Sequence, residues 1–417
     1  MSTSSTQTHV VIAGGGVAAV ELALALHDLA SNRISMTIVA PQAEFELRPL
    51  RTAEPFSHDH VRRHSLAELA ARVGAELVAD SVAEVQPERH GVVLGGGRSL
   101  SYDALVLAVG AQHRTAIHKA LTFGGDVSTL PYNGLLADVD EGWAHAVTFV
   151  VPPGTTWPLP LYELALMTAR EAWGMGIDDM QIQIVSPEAS PLALFGPQAS
   201  AGVGALLERA GITFRGDRYA RETDDGHIEL LPGAEQLGPG RVVALPTIEG
   251  RRIEGVPADE RGFVPVDDRG RVTGLTDVYA AGDGTTFPVK QGGIACQQAD
   301  AIAQLLAAAA GAPIDPEPFR PVLRGRLMTG RGAAYLEHAA HGGAGEGPPP
   351  ALELWDVTRK IDGRYLSPWL AELEGGEVAT GSTGDEGGVQ VEVQLPTVHE
   401  TGRPAMRLDP YSPSDAR

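Results

Sequence analysis

The stretch GDGTTFPVKQGGIACQQ puts an acid, Asp283, a cation, Lys290, a Gly292–Gly293 helix start and a thiol, Cys296, close together in the chain. An acid of this kind can accept hydrogen bonds from hydroxyls. A cation beside a helix start favours negative charge that develops on a bound group. A second stretch, VIAGGGVAAVELALAL, supplies Gly14, Gly15 and Gly16 between an apolar run and a helical pattern. Gly14 suits a tight turn, and Gly16 lets a pyrophosphate approach the backbone. The helix that follows has free N–H groups and a dipole that face an anion. Ala19 takes the place of a third glycine, where a small residue lets helix and strand pack.

These residues need elements to hold them. Val10–Ala13 reads as a buried strand, and a helix follows from Val20 onward. Met36–Val39 is the next strand. An acid commonly ends that strand and holds an adenosine ribose, yet Ala40 and Pro41 stand there, with Gln42 and Glu44 as substitutes. YDALVLAVGA contains a strand at Leu105–Val109 that ends in small residues, Ala108, Val109 and Gly110. TDVYAAGD is another strand, and it ends at Gly282–Asp283. An aspartate at the carboxyl end of a parallel strand enters the ligand crevice. A second unit of similar form follows the first strand pair. Ala146–Val151 reads as a strand, Leu161–Trp173 as a helix, and Met180–Val185 as a strand with Glu188 shortly after.

GGGVAAVE, YDALVLAVGA and VYAAGD, in this order and at these separations, resemble the FAD motifs of flavoproteins with two dinucleotide-binding domains. That superfamily is the pyridine nucleotide–disulfide oxidoreductases. FELRPL, KQGG and KIDGRYLSPWL are most similar to the sulfide:quinone oxidoreductase and type II NADH dehydrogenase branch. The resemblance covers about residues 9–372. It implies an α/β fold with two Rossmann-like domains: an FAD domain split into residues 1–115 and 255–325, and an NAD-like domain inserted at 116–254. A C-terminal interface segment, 326–373, and an acidic tail, 374–417, expected to be largely disordered, would follow. The cofactor implied is FAD. Its contacts would come from Gly14, Gly15, Gly16, Val17, Ala18, Gln42, Arg48, Val82, Ala108, Val109, Gly110, Gly282, Asp283, Lys290, Gln291, Gly292 and Gly293. Lys290, Glu163 and Cys296 are the residues expected at the chemistry. Lys290 and the helix start would favour the added negative charge of reduced flavin. Gln291, Gln297 and Gln298 would face the ring or an acceptor, or lie on the helix surface.

The chain departs from the resemblance in two places. NADH-using members have a glycine-rich turn closed by a glutamate on the following helix. Glu163 fits that glutamate, but TTWPLPLYE holds Thr156, Trp157, Pro158 and Leu161 at the glycine positions. Pro158 lacks an N–H and Leu161 blocks close approach of a pyrophosphate. Sulfide oxidation and disulfide reduction in the superfamily use cysteine pairs, and Cys296 is the chain's single cysteine. It reads as a small core residue or as a thiol near the flavin. Glu163 reads as a proton carrier beside the flavin or as an acid placed by the helix dipole.

Composition narrows the partners. The chain has 417 residues, enough for two or three domains, and a net charge of −21. Such a charge opposes nucleic acid and anionic membranes. HDHVRRH (His58–His64) carries arginines that oppose a cation, so no metal is expected. MSTSSTQTHVV lacks a basic region followed by an apolar stretch, so no leader is expected and the expected location is cytoplasmic, with peripheral membrane contact left open. The expected reaction passes electrons from a small-molecule donor through FAD to a quinone or another small-molecule acceptor. An NAD(P)H dehydrogenase with an atypical nucleotide site and a flavin-binding subunit without turnover are the alternatives. The aromatic stretch ALELWDVTRKIDGRYLSPWLAEL reads as packed on a domain, as a homodimer interface or as a membrane-facing surface.

Overall fold

The computed structural model describes residues 7–57, 60–124, 129–330, 332–339, 359–374 and 389–390. In chain order the elements that matter for the site begin with β1 (Thr8–Ala13), α1 (Val17–Ala30), β2 (Ile34–Val39), β3 (Glu76–Val78) and β4 (Ala104–Leu107). Then come β5 (Leu121–Thr122), β6 (Ala146–Val150), α2 (Leu159–Gly174), β7 (Gln181–Val185), β8 (Ile212–Arg215) and β9 (Arg241–Ala244). The chain closes with β10 (Val278–Ala280), α3 (Gly292–Ala309), β11 (Val322–Met328), β12 (Ala333–Ala339) and α4 (Leu366–Leu373).

Two five-stranded parallel sheets result, in the orders β10-β4-β1-β2-β3 and β5-β9-β6-β7-β8. β10 pairs with β4 across the whole inserted second sheet, Val278 opposite Leu105. The first sheet is therefore assembled from both ends of the described chain. Continuous apolar runs make this possible. Val10, Val11, Ile12, Leu105, Val106 and Val278 are buried on both sheet faces, as parallel strands require. α1 and α3 lie against each other, and their small residues let the backbones come close. A side chain at Gly282 would meet Ala18 and Ala295, one from each helix.

The expected boundary at residue 325 falls inside β11. Leu323 and Leu327 are fully buried in the same core as Leu159 and Phe195 of the second domain. The β11–β12 hairpin is thus held by the second domain's core. Residues 359–374 pack instead on the first domain, where Ile361, Leu366, Trp369 and Leu370 join the core of α1. The Ala351–Thr358 part of the aromatic stretch and most of the expected acidic tail lie outside the described residues. Val389–Gln390 pair with β12 as a short strand.

Polar contacts fix the 359–374 segment to the first domain. Glu21, fully buried on α1, accepts from the backbone N–H groups of Tyr365 at 2.9 Å and Leu366 at 2.5 Å. These are orphan donors at the start of α4, so a carboxylate there does the work of a cap. Burial raises the Glu21 carboxyl, and it also raises its neighbour Asp300 to about 9, helped by the charge of Glu21. Replacing Glu21→Ala should leave both N–H groups unpaired and lower unfolding stability by roughly 2–3 kcal/mol. A urea melt of the FAD-loaded protein checks this, and a loss below about 0.5 kcal/mol would mean that apolar packing alone holds α4.

Candidate flavin site

A crevice of about 1510 Å³ runs along the carboxyl ends of the first sheet and opens toward the second domain. Its floor is the glycine turn after β1. Gly14 has φ +133°, and a Cβ there would meet the Ala108 carbonyl oxygen at 2.1 Å. The two central strands can therefore close only around glycine. A Cβ on Gly16, by contrast, would meet nothing within 4 Å, so this backbone faces open crevice. α1 starts at Gly16 with no side-chain cap and no acid in its first turn. Its first N–H groups are left for an anion.

The structure brings most of the predicted residues to this one crevice. Gly14, Gly15, Gly16, Val17, Ala18, Gln42, Arg48, Val82, Ala108, Val109, Gly110, Gly282, Asp283, Lys290, Gln291 and Gly292 all line it. Gln42 and Glu44 both line it past the end of β2, where an acid was missing from the strand itself.

Asp283 has no hydrogen-bond partner among the described residues, although burial pushes its carboxyl above the usual range. The charges of Lys290 and Arg48 oppose that shift. Lys290 is held over the Phe263 ring at 4.1 Å and donates to the Thr285 carbonyl oxygen. Burial pushes its ammonium down to about 8, against the charges of Asp283 and Asp259. At neutral pH Lys290 is therefore a cation fixed in the wall with little water around it.

Some residues sit elsewhere than expected. Gly293 does not line the crevice, and a side chain there would crowd Gln291. Gln291 lines the crevice, and all three glutamines bond to the chain's own backbone. Gln291 caps α3 through Ile294 N–H at 2.8 Å and donates to the Arg324 carbonyl. Gln297 makes two bonds to the backbone of Val322. Gln298 receives the Gly282 N–H at 2.7 Å. Cys296 is buried on the far side of α3, beneath Gly363 and near Glu21. Burial and the charges of Glu21, Asp300 and Asp362 hold its thiol protonated, so in this position it is an inert core residue.

Glu163 is fully buried and lies one contact behind the crevice wall. It forms an ion pair with Lys360 and accepts from Thr52 Oγ1 at 2.9 Å and from Met328 N–H at 2.9 Å. Lys360 also donates to the Arg326 carbonyl at 2.7 Å. Lys360 and Thr52 both line the crevice. Burial pushes Glu163 up and Lys360 down, while each opposes the other's shift. The contacts of Glu163 come from three other segments of chain, and no local pattern in the sequence marks Thr52 or Lys360 as its partners.

Residues 1–124 match the family described as "Pyridine nucleotide-disulphide oxidoreductase". The chain is 26% identical over 318 residues to the ferredoxin reductase component of chlorobenzene dioxygenase from Cupriavidus sp. (strain PS12), covering 74% of each protein. Its fold is similar to that of the sulfide:quinone oxidoreductase from the hyperthermophilic bacterium Aquifex aeolicus. That match has a TM-score of 0.71 at 18% identity, with 79% of this chain and 83% of that chain covered. A ferredoxin reductase for the CYP199A2 system from Rhodopseudomonas palustris matches with a TM-score of 0.59 at 18% identity, over 76% of this chain and 80% of that one. The match to the pyridine nucleotide–disulphide oxidoreductase family lies in the first domain's part of the chain. The chain is an FAD-dependent oxidoreductase.

The crevice fits the superfamily's cofactor. The open backbone at Gly16 and the uncapped start of α1 would hold the pyrophosphate. Asp283, with no hydrogen-bond partner among the described residues, would take the ribityl hydroxyls. Lys290 and Gly292 would stand at the ring end. FAD supplies the ability to accept two electrons and pass them on; the chain's residues position it and set the charge around it.

The second domain does not repeat this arrangement. α2 begins after Pro158, and Leu161 at its first turn is fully buried. Trp157 packs edge-on against Phe195 at 5.6 Å. Glu188, the acid beyond β7, is turned inward. It accepts from Tyr162 Oη at 2.7 Å, Ser186 Oγ at 2.9 Å and Ala193 N–H at 3.2 Å.

Two outcomes follow for the charged groups. Lys290 has a folded value below its ordinary 10.5, so the folded chain binds fewer protons between about pH 8 and 10.5. Stability should rise with pH across that window. Urea midpoints of flavin-free protein should show the wild type gaining on K290M by up to roughly 3 kcal/mol, and parallel pH curves would refute the assignment. Replacing Lys360→Met strips a buried carboxylate of its counter-charge and should cost about 3–5 kcal/mol. Adding Glu163→Gln to that variant should recover part of the loss, and a double-mutant cycle in urea measures the coupling.

Proposed function

We propose that this oxidoreductase takes electrons from a donor other than NAD(P)H and delivers them to a small-molecule acceptor, with a quinone the acceptor of choice. The inward lock of Glu188 by Tyr162 carries the reading. A nucleotide seated on the second domain would need that acid for its ribose, and would need close backbone at the start of α2 for its pyrophosphate. The chain spends the acid on its own tyrosine and fills the turn with Trp157, Pro158 and Leu161. The buried position of Cys296 further argues against sulfur chemistry through a cysteine of this chain.

Within this reading, Lys290 and the start of α3 favour negative charge at the ring end of the cofactor site. Thr52 and Lys360 present polar groups to the same crevice, backed by Glu163. A proton moving to or from the site would pass along these groups, since Lys360 and Glu163 both have values shifted toward the neutral pair. The ferredoxin reductase relative favours a second reading of the acceptor, a small electron-carrier protein. The reading is of a cytoplasmic protein, touching a membrane surface where a quinone is the acceptor. Among the described residues no helix is long and apolar enough to cross a membrane.

The test is anaerobic. FAD-loaded protein mixed with NADH, and separately with NADPH, should keep its flavin visible band for minutes, while dithionite bleaches it. Bleaching by either nucleotide within seconds would sink the donor reading.

A further inference from the structure

Thr155 and Thr156 occupy the loop between β6 and α2, where a nucleotide-binding domain carries its phosphate turn. Both residues line the crevice. The Oγ1 atom of each is shut off from solvent and has no hydrogen-bond partner among the described residues. Buried hydroxyls without partners are costly and few in native proteins. Two in succession on a crevice wall mark a place where a ligand completes the bonding.

Part of the wall around them is apolar. Phe123 follows β5 and bonds through its N–H to the Ala244 carbonyl. Leu245 follows β9 and bonds through its N–H to the Val150 carbonyl. These contacts bring the ends of β5, β9 and β6 side by side at the carboxyl edge of the second sheet, the edge where open α/β sheets bind ligands. Phe123, Leu245, Pro246 and Trp157 all line the crevice there. Trp157 is steadied by Phe195, so its ring is a fixed surface on which a flat molecule can lie.

We propose that Thr155, Thr156 and Trp157 form a subsite for a neutral, ring-sized organic molecule that carries hydroxyl or carbonyl oxygens. This rests on the reading that the donor is not a nicotinamide nucleotide, and it names the class of molecule that takes the vacated place. A hydroxyl can both donate and accept, so each threonine pairs with either kind of oxygen. No covalent step is assigned to the subsite.

The experiment uses FAD-loaded full-length protein and 2,7-dihydroxynaphthalene as the probe. Binding is read by equilibrium dialysis and by the difference spectrum of the flavin band. The double variant T155V/T156V keeps side-chain shape and removes both hydroxyls; T155S/T156S keeps the hydroxyls. The expected result is binding at least about tenfold weaker in the valine variant and near wild-type in the serine variant, consistent with the usual worth of buried hydrogen bonds. Equal binding in all proteins, or none in the wild type, would overturn the subsite. NADH is then added to the same samples. Bleaching of the flavin band with displacement of the probe would overturn only the donor reading, since the nucleotide then competes for the same place. Bleaching with the probe still bound would overturn both, since the probe then lies away from the place a nucleotide takes.

Discussion

The contact that the architecture most depends on is the buried pair of Glu163 and Lys360. Glu163 belongs to the second domain, Lys360 to the C-terminal segment, Thr52 to the first domain and Met328 to the hairpin that follows α3. A charge so far from water cannot be left alone, since its desolvation outweighs any single neutral hydrogen bond. The four segments are therefore committed to one another wherever this carboxylate is buried. The crevice wall is built at the point where they meet. Its shape follows from an electrostatic requirement as much as from apolar packing.

The charge distribution has the same logic on a larger scale. The chain carries −21 overall, yet the crevice wall collects Arg48, Arg51, Arg63, Lys290 and Lys360. Some are neutralised locally: Glu46 bonds Arg51 at 2.8 Å and Arg63 at 3.0 Å. A cationic lining inside an acidic surface suits a cofactor with a pyrophosphate, because field lines concentrate in a low-dielectric cleft. It also keeps other polyanions at the surface at a distance.

Most of the first domain was legible in the sequence. Apolar runs that end in Gly14, Gly110 and Asp283 mark strand ends directly, because each requires a residue type that the local backbone or the ligand dictates. The missing glycines of TTWPLPLYE were equally plain, since proline and leucine cannot do what glycine does. Long-range pairing was not legible. Nothing near Glu163 in sequence points to Lys360, and Gln297 looks like a surface glutamine until Val322 is seen beside it. Cys296 shows the same limit: helical spacing does not say which face of α3 meets the crevice and which meets Glu21. The expected boundary at residue 325 failed for a related reason. β11 carries its alternating apolar pattern from Val322 to Met328, across that position.

The Tyr162–Glu188 lock has a consequence for engineering this chain. Reshaping the start of α2 would take several changes, and each intermediate is penalised. Freeing Glu188 by removing the tyrosine hydroxyl leaves a buried acid short of a donor. Removing Leu161 or Trp157 first leaves a hole in a packed core. The arrangement works as a ratchet: single substitutions lose stability before a combination of them can open the wall.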